Sequence, residues 1–244
     1  MKASKTYHSI VLIATTAVVF ILWFLISQIM SERFFLGILL ACFVSLGVYR
    51  AMLEVVRFFL IKCKALKELV FGNMYLEGTW VGCCLGDDGN PLYYIESFEQ
   101  DFDGLVVRGR SYDADKSYKG SWVSDTVMID TSKGKITYTY VTDMISNTHN
   151  NQGLAEFSFV RENKLNPPQR MIGFSSDIFN PKKLLSVEER IQKGESTDEI
   201  SLLRRAESVF ENNKGFFVGV DAKEEKKTSG GNRRGRKKKD IQDD

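Results

Sequence analysis

Two apolar stretches at the N-terminus constrain this chain more than any other feature. The first runs from Ile10 to Met30 and the second from Phe34 to about Tyr49, with only Ser31, Glu32 and Arg33 between them. A bilayer core takes roughly 20 apolar residues as a helix. The first stretch supplies that length, with Thr15, Thr16, Ser27 and Gln28 as its only polar residues. Hydroxyls are tolerated there because they bond back to the helix's own carbonyls. The second stretch sits at the lower edge of a span and is extended by Ala51, Met52 and Leu53, with Arg50 snorkelling to the headgroups. A cleaved signal peptide fits the first stretch less well: the run exceeds a signal core of roughly 7–15 residues, no A-x-A site follows, and a second span does. A buried soluble helix is the other reading of the second stretch.

Positive charge orients the hairpin. Lys2 and Lys5 precede the first stretch, and Arg50, Arg57, Lys62, Lys64 and Lys67 follow the second. Lys and Arg stay on the cytoplasmic side, so both termini are expected in the cytoplasm and Glu32 outside. Met52–Val70 keeps helical spacing and carries the second helix into the cytosol, its basic residues placed to lie against anionic lipid.

The overall charge of +2 conceals a division. Residues 1–67 hold eight Lys/Arg against two Asp/Glu, residues 68–222 sixteen against twenty-four, and the tail from Lys223 nine against five. An acidic central region argues against a nucleic-acid polymer as partner, since such binding needs a positive field. Of the four cysteines, Cys42, Cys63, Cys83 and Cys84, none forms C-x-x-C, and only His8 and His149 exist. Reduced thiols, no metal, no cofactor and no catalytic constellation are the expectation, and hence no enzyme.

From Leu76 on, strand-like runs alternate with turn signals at intervals near ten residues, the pattern of a barrel or sandwich. The runs are Leu76–Leu85, Leu92–Gln100, Leu105–Tyr112, Ser117–Ser124, Thr126–Asp130, Lys135–Thr142, Gly153–Arg161 and Arg170–Ile178. Eight strands suit a small closed all-β barrel able to hold one small ligand; a sandwich is the other arrangement. Period-2 alternation places Tyr118, Gly120 and Trp122 on one face, as it does Ile136, Tyr138 and Tyr140, and Phe157 with Phe159. Trp80 is expected to plug the closed end. In Leu105–Tyr112 either Arg108 and Arg110 or the alternate residues point inward. The aromatics are core and the arginines surface, or together they form a binding face. In the second case Arg108, Arg110, Trp122, Tyr138 and Tyr140 are the candidate ligand-binding residues, because aromatic faces stack on bases and a guanidinium fork grips phosphate.

Two short-looped apolar helices followed by a small β-barrel that opens on Gly78-Thr79-Trp80-Val81-Gly82, similar to the G-x-W of lipocalin-like barrels, with a long hairpin at Tyr93–Tyr112, resemble the CD-NTase-associated two-transmembrane β-barrel effectors of bacterial cyclic-oligonucleotide anti-phage systems. The resemblance covers roughly residues 8–180. It implies an inner-membrane, multi-pass effector. Its cytosolic barrel would bind a cyclic dinucleotide made by a partner nucleotidyltransferase, form a homo-oligomer, and control disruption of the membrane lipid. Either sign of control, activating or silencing, is found in such arrangements. The reading from a different class is a membrane-tethered, non-enzymatic binding or scaffold module with a lipid or metabolite in the barrel; a small pocket would favour it.

The expected organisation is a hairpin and juxtamembrane helix over 1–67, a barrel over 68–180, a helical extension over 181–222 and a disordered basic tail over 223–244. In the extension, Ser196…Glu199 fits a capping box ahead of the stripe Ile200, Leu202, Leu203, Ala206 and Phe210. Phe216–Val220 reads as a last strand or docking segment. The tail, with Arg233–Lys239, is solvated or lies on anionic lipid. The topology is checked by reporter fusions: export is expected for a fusion after Arg33 and cytoplasmic activity for one at Asp244, and an exported C-terminus would overturn it.

Overall fold

A computed structural model of the chain describes residues 2–29, 47–59, 62–86, 88–101, 104–144, 151–161, 163, 166–178, 181–192 and 194–230. Helix α1 covers Lys2–Ile29 and α2 covers residues 47–59. Among the described residues no helix is long and apolar enough to cross a membrane. The continuous run of α1 whose side chains are described, Val11–Leu25, is itself shorter than a span. Within it the Thr16 hydroxyl donates to the Leu12 carbonyl at 2.7 Å, the back-bonding that a hydroxyl in an apolar helix requires. The turn Ser31–Arg33 and most of the second apolar stretch lie outside the described residues. Helix α3 (Lys64–Phe71) and a 3₁₀ turn (Gly72–Met74) then lead into the sheet.

Eight antiparallel strands follow in sequence order and close on themselves: β1 Gly78–Leu85, β2 Pro91–Gln100, β3 Leu105–Tyr112, β4 Tyr118–Asp130, β5 Lys135–Met144, β6 Asn151–Val160, β7 Arg170–Asp177 and β8 Leu184–Arg190. The first and last pair from Trp80↔Arg190 to Cys84↔Ser186, so no edge is left to template aggregation. The barrel rather than the sandwich is therefore the fold. Two strand assignments change. Ser117–Ser124 and Thr126–Asp130 are one strand, β4, whose register shifts between Ser124 and Thr126 and which continues against β5. The eighth strand is instead Leu184–Arg190, inside the stretch expected to be helical, so the barrel extends beyond residue 180 to Arg190.

The end of the barrel nearest the N-terminal helices is closed. Trp80, fully buried, donates from Nε1 to the Leu76 carbonyl at 2.9 Å and packs on Phe98, its ring centroid 5.4 Å away. It is the plug its position suggested. The chain crossing beneath it is clamped by the side-chain amide of Gln100, which accepts from the Leu76 N–H at 2.8 Å and donates to the Met74 carbonyl at 3.0 Å. Arg190 donates to the carbonyls of Tyr75 and Glu77, and Arg161 to that of Asn73. Lys67 of α3 pairs with Glu77 at 2.6 Å. Backbone carbonyls that leave the ladder here thus find side-chain donors instead of water, as buried polar groups must.

Helix α4 (Glu199–Gly230) lies on the outside of the barrel across β8, β1 and β2. Its stripe Leu202, Leu203, Ala206, Val209, Phe210 and Phe217 recurs at i, i+3, i+4 and i+7, and buries the outward residues Val81, Cys83, Tyr93, Ile95 and Val187. Ile200, expected in that stripe, is exposed. The cap also differs: Asp198, not Ser196, accepts from the Ser201 N–H at 2.9 Å. Phe216 and Phe217 are helical rather than a strand, with Phe217 stacked on Phe210. Lys223–Gly230, expected to be disordered, continues α4; the rest of the basic tail lies outside the described residues.

Burial pushes the Cys83 thiol far up, because a thiolate under α4 loses its water, and the nearby Arg170 charge only partly opposes this. With Cys42, Cys63 and Cys84 replaced by Ser, Cys83 is expected to resist maleimide in the folded chain and to label in a Leu203→Asp variant, which puts a charge into the α4 seam. Equal labelling of both chains would show that α4 is not the cover.

Candidate functional site

The inward side chains divide the barrel into two layers. The half next to the plug is apolar, built from Leu76, Trp80, Phe98, Val107, Ile136 and Phe157 among others. The half toward the β1–β2, β3–β4 and β7–β8 turns keeps a cavity of about 190 Å³. Tyr94, Trp122, Tyr138 and Tyr140 wall it, Glu96 and Glu188 form its floor, and Asp177 stands near its mouth. Among the described residues no Lys, Arg or His lines it.

The lumen stays open because three wall residues are glycines. A Cβ on Gly82 would lie 2.1 Å from the Tyr94 ring, one on Gly109 would lie 2.1 Å from the Trp122 ring, and one on Gly153 would lie 2.2 Å from the Tyr140 ring. Each aromatic is therefore laid across the neighbouring strand, covering bare backbone, instead of reaching over the lumen. Such pairing of an aromatic with a cross-strand glycine also pins register and lets a small barrel curve.

Glu96 and Glu188 flank β1, whose Gly82 pairs with Tyr94 on one side and Glu188 on the other. Both are 1% exposed. Glu96 Oε1 accepts from the Tyr138 hydroxyl at 3.0 Å and the Trp122 indole at 3.2 Å. No other side chain and no backbone group donates to Glu96 Oε2 or to either oxygen of Glu188; the two carboxyls lie close enough to share a proton with each other. Burial raises the Glu96 carboxyl to about 7. Burial, and then the neighbouring Glu96 charge, push Glu188 well above the usual carboxylate range. Two carboxyls so close together in a low-dielectric site do not both ionise near neutrality. The Tyr94 and Tyr138 hydroxyls are pushed far up, also chiefly by burial, so they remain neutral donors. At the mouth the Tyr140 hydroxyl donates to Asp177 Oδ1 at 3.2 Å.

Of the five residues singled out from sequence, Trp122, Tyr138 and Tyr140 meet in this lumen and Arg108 and Arg110 do not. The arginines stand on the outer face, 58% and 54% exposed, and pair with Glu99 at 3.3 Å and Glu199 at 3.0 Å. Inward positions on β3 go to Leu105, Val107, Gly109 and Ser111, since a guanidinium in this small acidic lumen would meet no room. Tyr118 also leaves the expected face. Lys119 is an extra residue where the register shifts, so Tyr118 pairs outward with Tyr112 while Gly120 and Trp122 stay inward. Ile136, Tyr138, Tyr140, Phe157 and Phe159 face inward as expected. The Glu96 side chain is inside the barrel, whereas Glu156 is on the outer face with Lys135 at 2.5 Å.

No family model matches the chain, and no curated protein matches it. Among solved structures, a de novo designed fluorescence-activating β-barrel is similar, at 14% identity and a TM-score of 0.33, over 49% of this chain and 96% of that one. The barrel rests on its own strand pairing and not on that likeness.

The buried carboxyls make stability depend on pH with a definite sign. Their folded pKa values are raised, so their contribution is complete below the unfolded value of about 4.3 and is lost as pH rises toward the folded values. Asp88, Asp115, Asp130 and Asp198 are shifted down by turn hydrogen bonds and act only at lower pH. Denaturation between pH 5 and 8 is therefore expected to show stability falling with pH, by about 1.4 kcal/mol per unit at most for each group. A Glu96→Gln, Glu188→Gln double variant should flatten that slope; an unchanged slope would place its origin elsewhere.

Proposed function

We propose that this chain is a non-enzymatic, membrane-anchored ligand sensor whose barrel lumen holds a small molecule. One observation carries the reading. The lumen is closed and tied to the N-terminal helices at one end, while the other half keeps a cavity with two buried carboxyls that have too few donors for their oxygens. A group of that kind is costly unless something pairs with it. The anchor is the pair of apolar stretches within residues 10–49; on the described part of α1, Leu12, Ile13, Phe20 and Phe24 stand exposed, as lipid-facing residues would. The clamps at Gln100, Arg161 and Arg190 offer a stiff path by which lumen occupancy reaches the hairpin, and its output is a change in oligomeric state and in membrane integrity.

The size of the cavity favours this over a cyclic dinucleotide in the lumen. About 190 Å³ is below the roughly 300–1,000 Å³ of ordinary ligand pockets, and an acidic lining without a cation repels phosphate. A second reading keeps the nucleotide-gated, anti-phage role: an outer groove of about 670 Å³, lined by Thr79, Ser97, Arg108, Arg110, Ser121 and Thr197, offers two guanidinium groups on one strand. Its sensor face would be the outside of the barrel near the start of α4.

Anchoring is tested by Val19→Arg with Leu22→Arg, which puts two charges in the first apolar stretch. The unaltered chain is expected in the membrane fraction and to admit a membrane-potential dye, and the variant to lose both properties; a variant still in the membrane would overturn the anchor. Titration with a cyclic-dinucleotide panel separates the two readings. Binding that is lost in an Arg108→Ala, Arg110→Ala variant would establish the outer groove as the sensor, and no binding leaves the lumen.

A further inference from the structure

The lumen's chemistry is specific enough to name a ligand class, an inference that rests on reading the lumen as the ligand site. Its floor presents three acceptors, Glu96 Oε2 and both oxygens of Glu188, that no other group of the barrel donates to and that have only the proton held between the two carboxyls. The other Glu96 oxygen is already held by Tyr138 and Trp122, which fix the carboxylate's direction. The walls above are ring faces laid over Gly82, Gly109 and Gly153. A cation is attracted both to carboxylates and to aromatic faces.

The geometry points to a small primary ammonium as the molecule this lumen takes, its three N–H donors set against the three carboxylate oxygens left open when the proton shared by the pair departs, and a short apolar body lying between Tyr94, Trp122 and Tyr140. An ammonium carries three donors and no acceptor, so it satisfies the floor completely. A quaternary ammonium carries no donor and would leave the floor unpaired. A neutral alcohol carries one. A metal ion fits less well, because among the described residues no group of three or more His, Cys, Asp or Glu side chains is arranged to hold one. The volume sets the size: about 190 Å³ is the space of about six waters at roughly 30 Å³ each, which suits a molecule of similar heavy-atom count and excludes polyamines with long chains.

Proton balance follows. In the empty lumen the Glu96–Glu188 pair retains a proton. The arriving amine enters already protonated, the pair ionises fully, and its proton leaves to solvent. Binding therefore strengthens as pH rises, until the free amine itself loses its proton. The groups facing the pair from the surrounding strands are Tyr94 on β2, Trp122 on β4, Tyr138 and Tyr140 on β5, and Cys84 on β1, with Asp177 on β7 nearer the mouth. The tyrosines stay neutral in this range, so the carboxyls set the dependence.

The test is calorimetry on the full chain in lipid nanodiscs with n-butylamine hydrochloride, 1-butanol and tetramethylammonium chloride at pH 6 and pH 8. Butylamine is expected to bind, about tenfold tighter at pH 8 than at pH 6, with proton release that appears as a dependence on buffer ionisation heat. The Glu96→Gln, Glu188→Gln double variant is expected to lose at least tenfold in affinity, and Gln matches the shape closely enough to keep the barrel. Should that variant not fold, the single Glu188→Gln variant serves: it should weaken binding and leave Glu96 as the only source of proton release. Butanol or tetramethylammonium binding as tightly as butylamine, or butylamine affinity independent of pH, overturns the ammonium assignment and leaves the lumen a ligand site. No binding by any of the three overturns the assignment together with the lumen reading.

Discussion

Closure of β1 on β8 is the pairing on which everything else depends. It converts a meander with two exposed edges into a barrel with none, and it is the contact of longest sequence separation in the sheet. The pairing runs only from Trp80↔Arg190 to Cys84↔Ser186, and α4 packs across β8, β1 and β2, directly over that seam. The helix therefore straps the place where the ring was joined. Residues on the outer face of the seam, Val81, Cys83 and Val187, are as buried as any lumen residue. Each large apolar side chain that α4 sinks there contributes about 1.5–3 kcal/mol, which offsets the cost of closing so long a loop.

Because α4 covers the seam from outside, the strands beneath it need not place their apolar residues inward. On β8 the polar residues Ser186 and Glu188 face the lumen while Leu185 and Val187 face the helix. Two carboxyls can then stand inside a small barrel without leaving its wall short of apolar contact. The plug end compensates in the other direction: Trp80, Phe98, Val107 and Ile136 fill it, and the polar half is supported on that packed layer. Glycines at 82, 109 and 153 with Tyr94, Trp122 and Tyr140 laid over them decide that the polar half holds a cavity and not more side chains.

Much of this was legible in the residues. Turn signals at regular spacing marked six of the strands closely, and period-2 alternation placed Trp122, Tyr138, Tyr140 and Phe157 inward. The count of eight was reached by splitting β4, where a register irregularity beside Asp125 looks like a turn, and by missing β8. Leu184–Arg190 read as the start of a helix because Ser186 ahead of Glu188 and Glu189 resembles a helix N-terminus, and with it went Glu188. Glu96 carried a signal: it falls in register with Tyr94 and Phe98 on β2. The face of Arg108 and Arg110 was not decided by alternation, since both faces of β3 carry apolar residues.

By itself the sequence determined the class of the central domain: two apolar stretches precede an acidic, all-β region with turns too regular for anything but a sandwich or barrel. It did so because hydropathy length and period-2 alternation are local properties. Only the tertiary structure decided which sheet edges meet, that a helix covers the joint, and that the lumen is acidic and small. Those depend on contacts between residues about a hundred positions apart, such as Gly82 with Glu188, whose side chains meet only once the ring has closed.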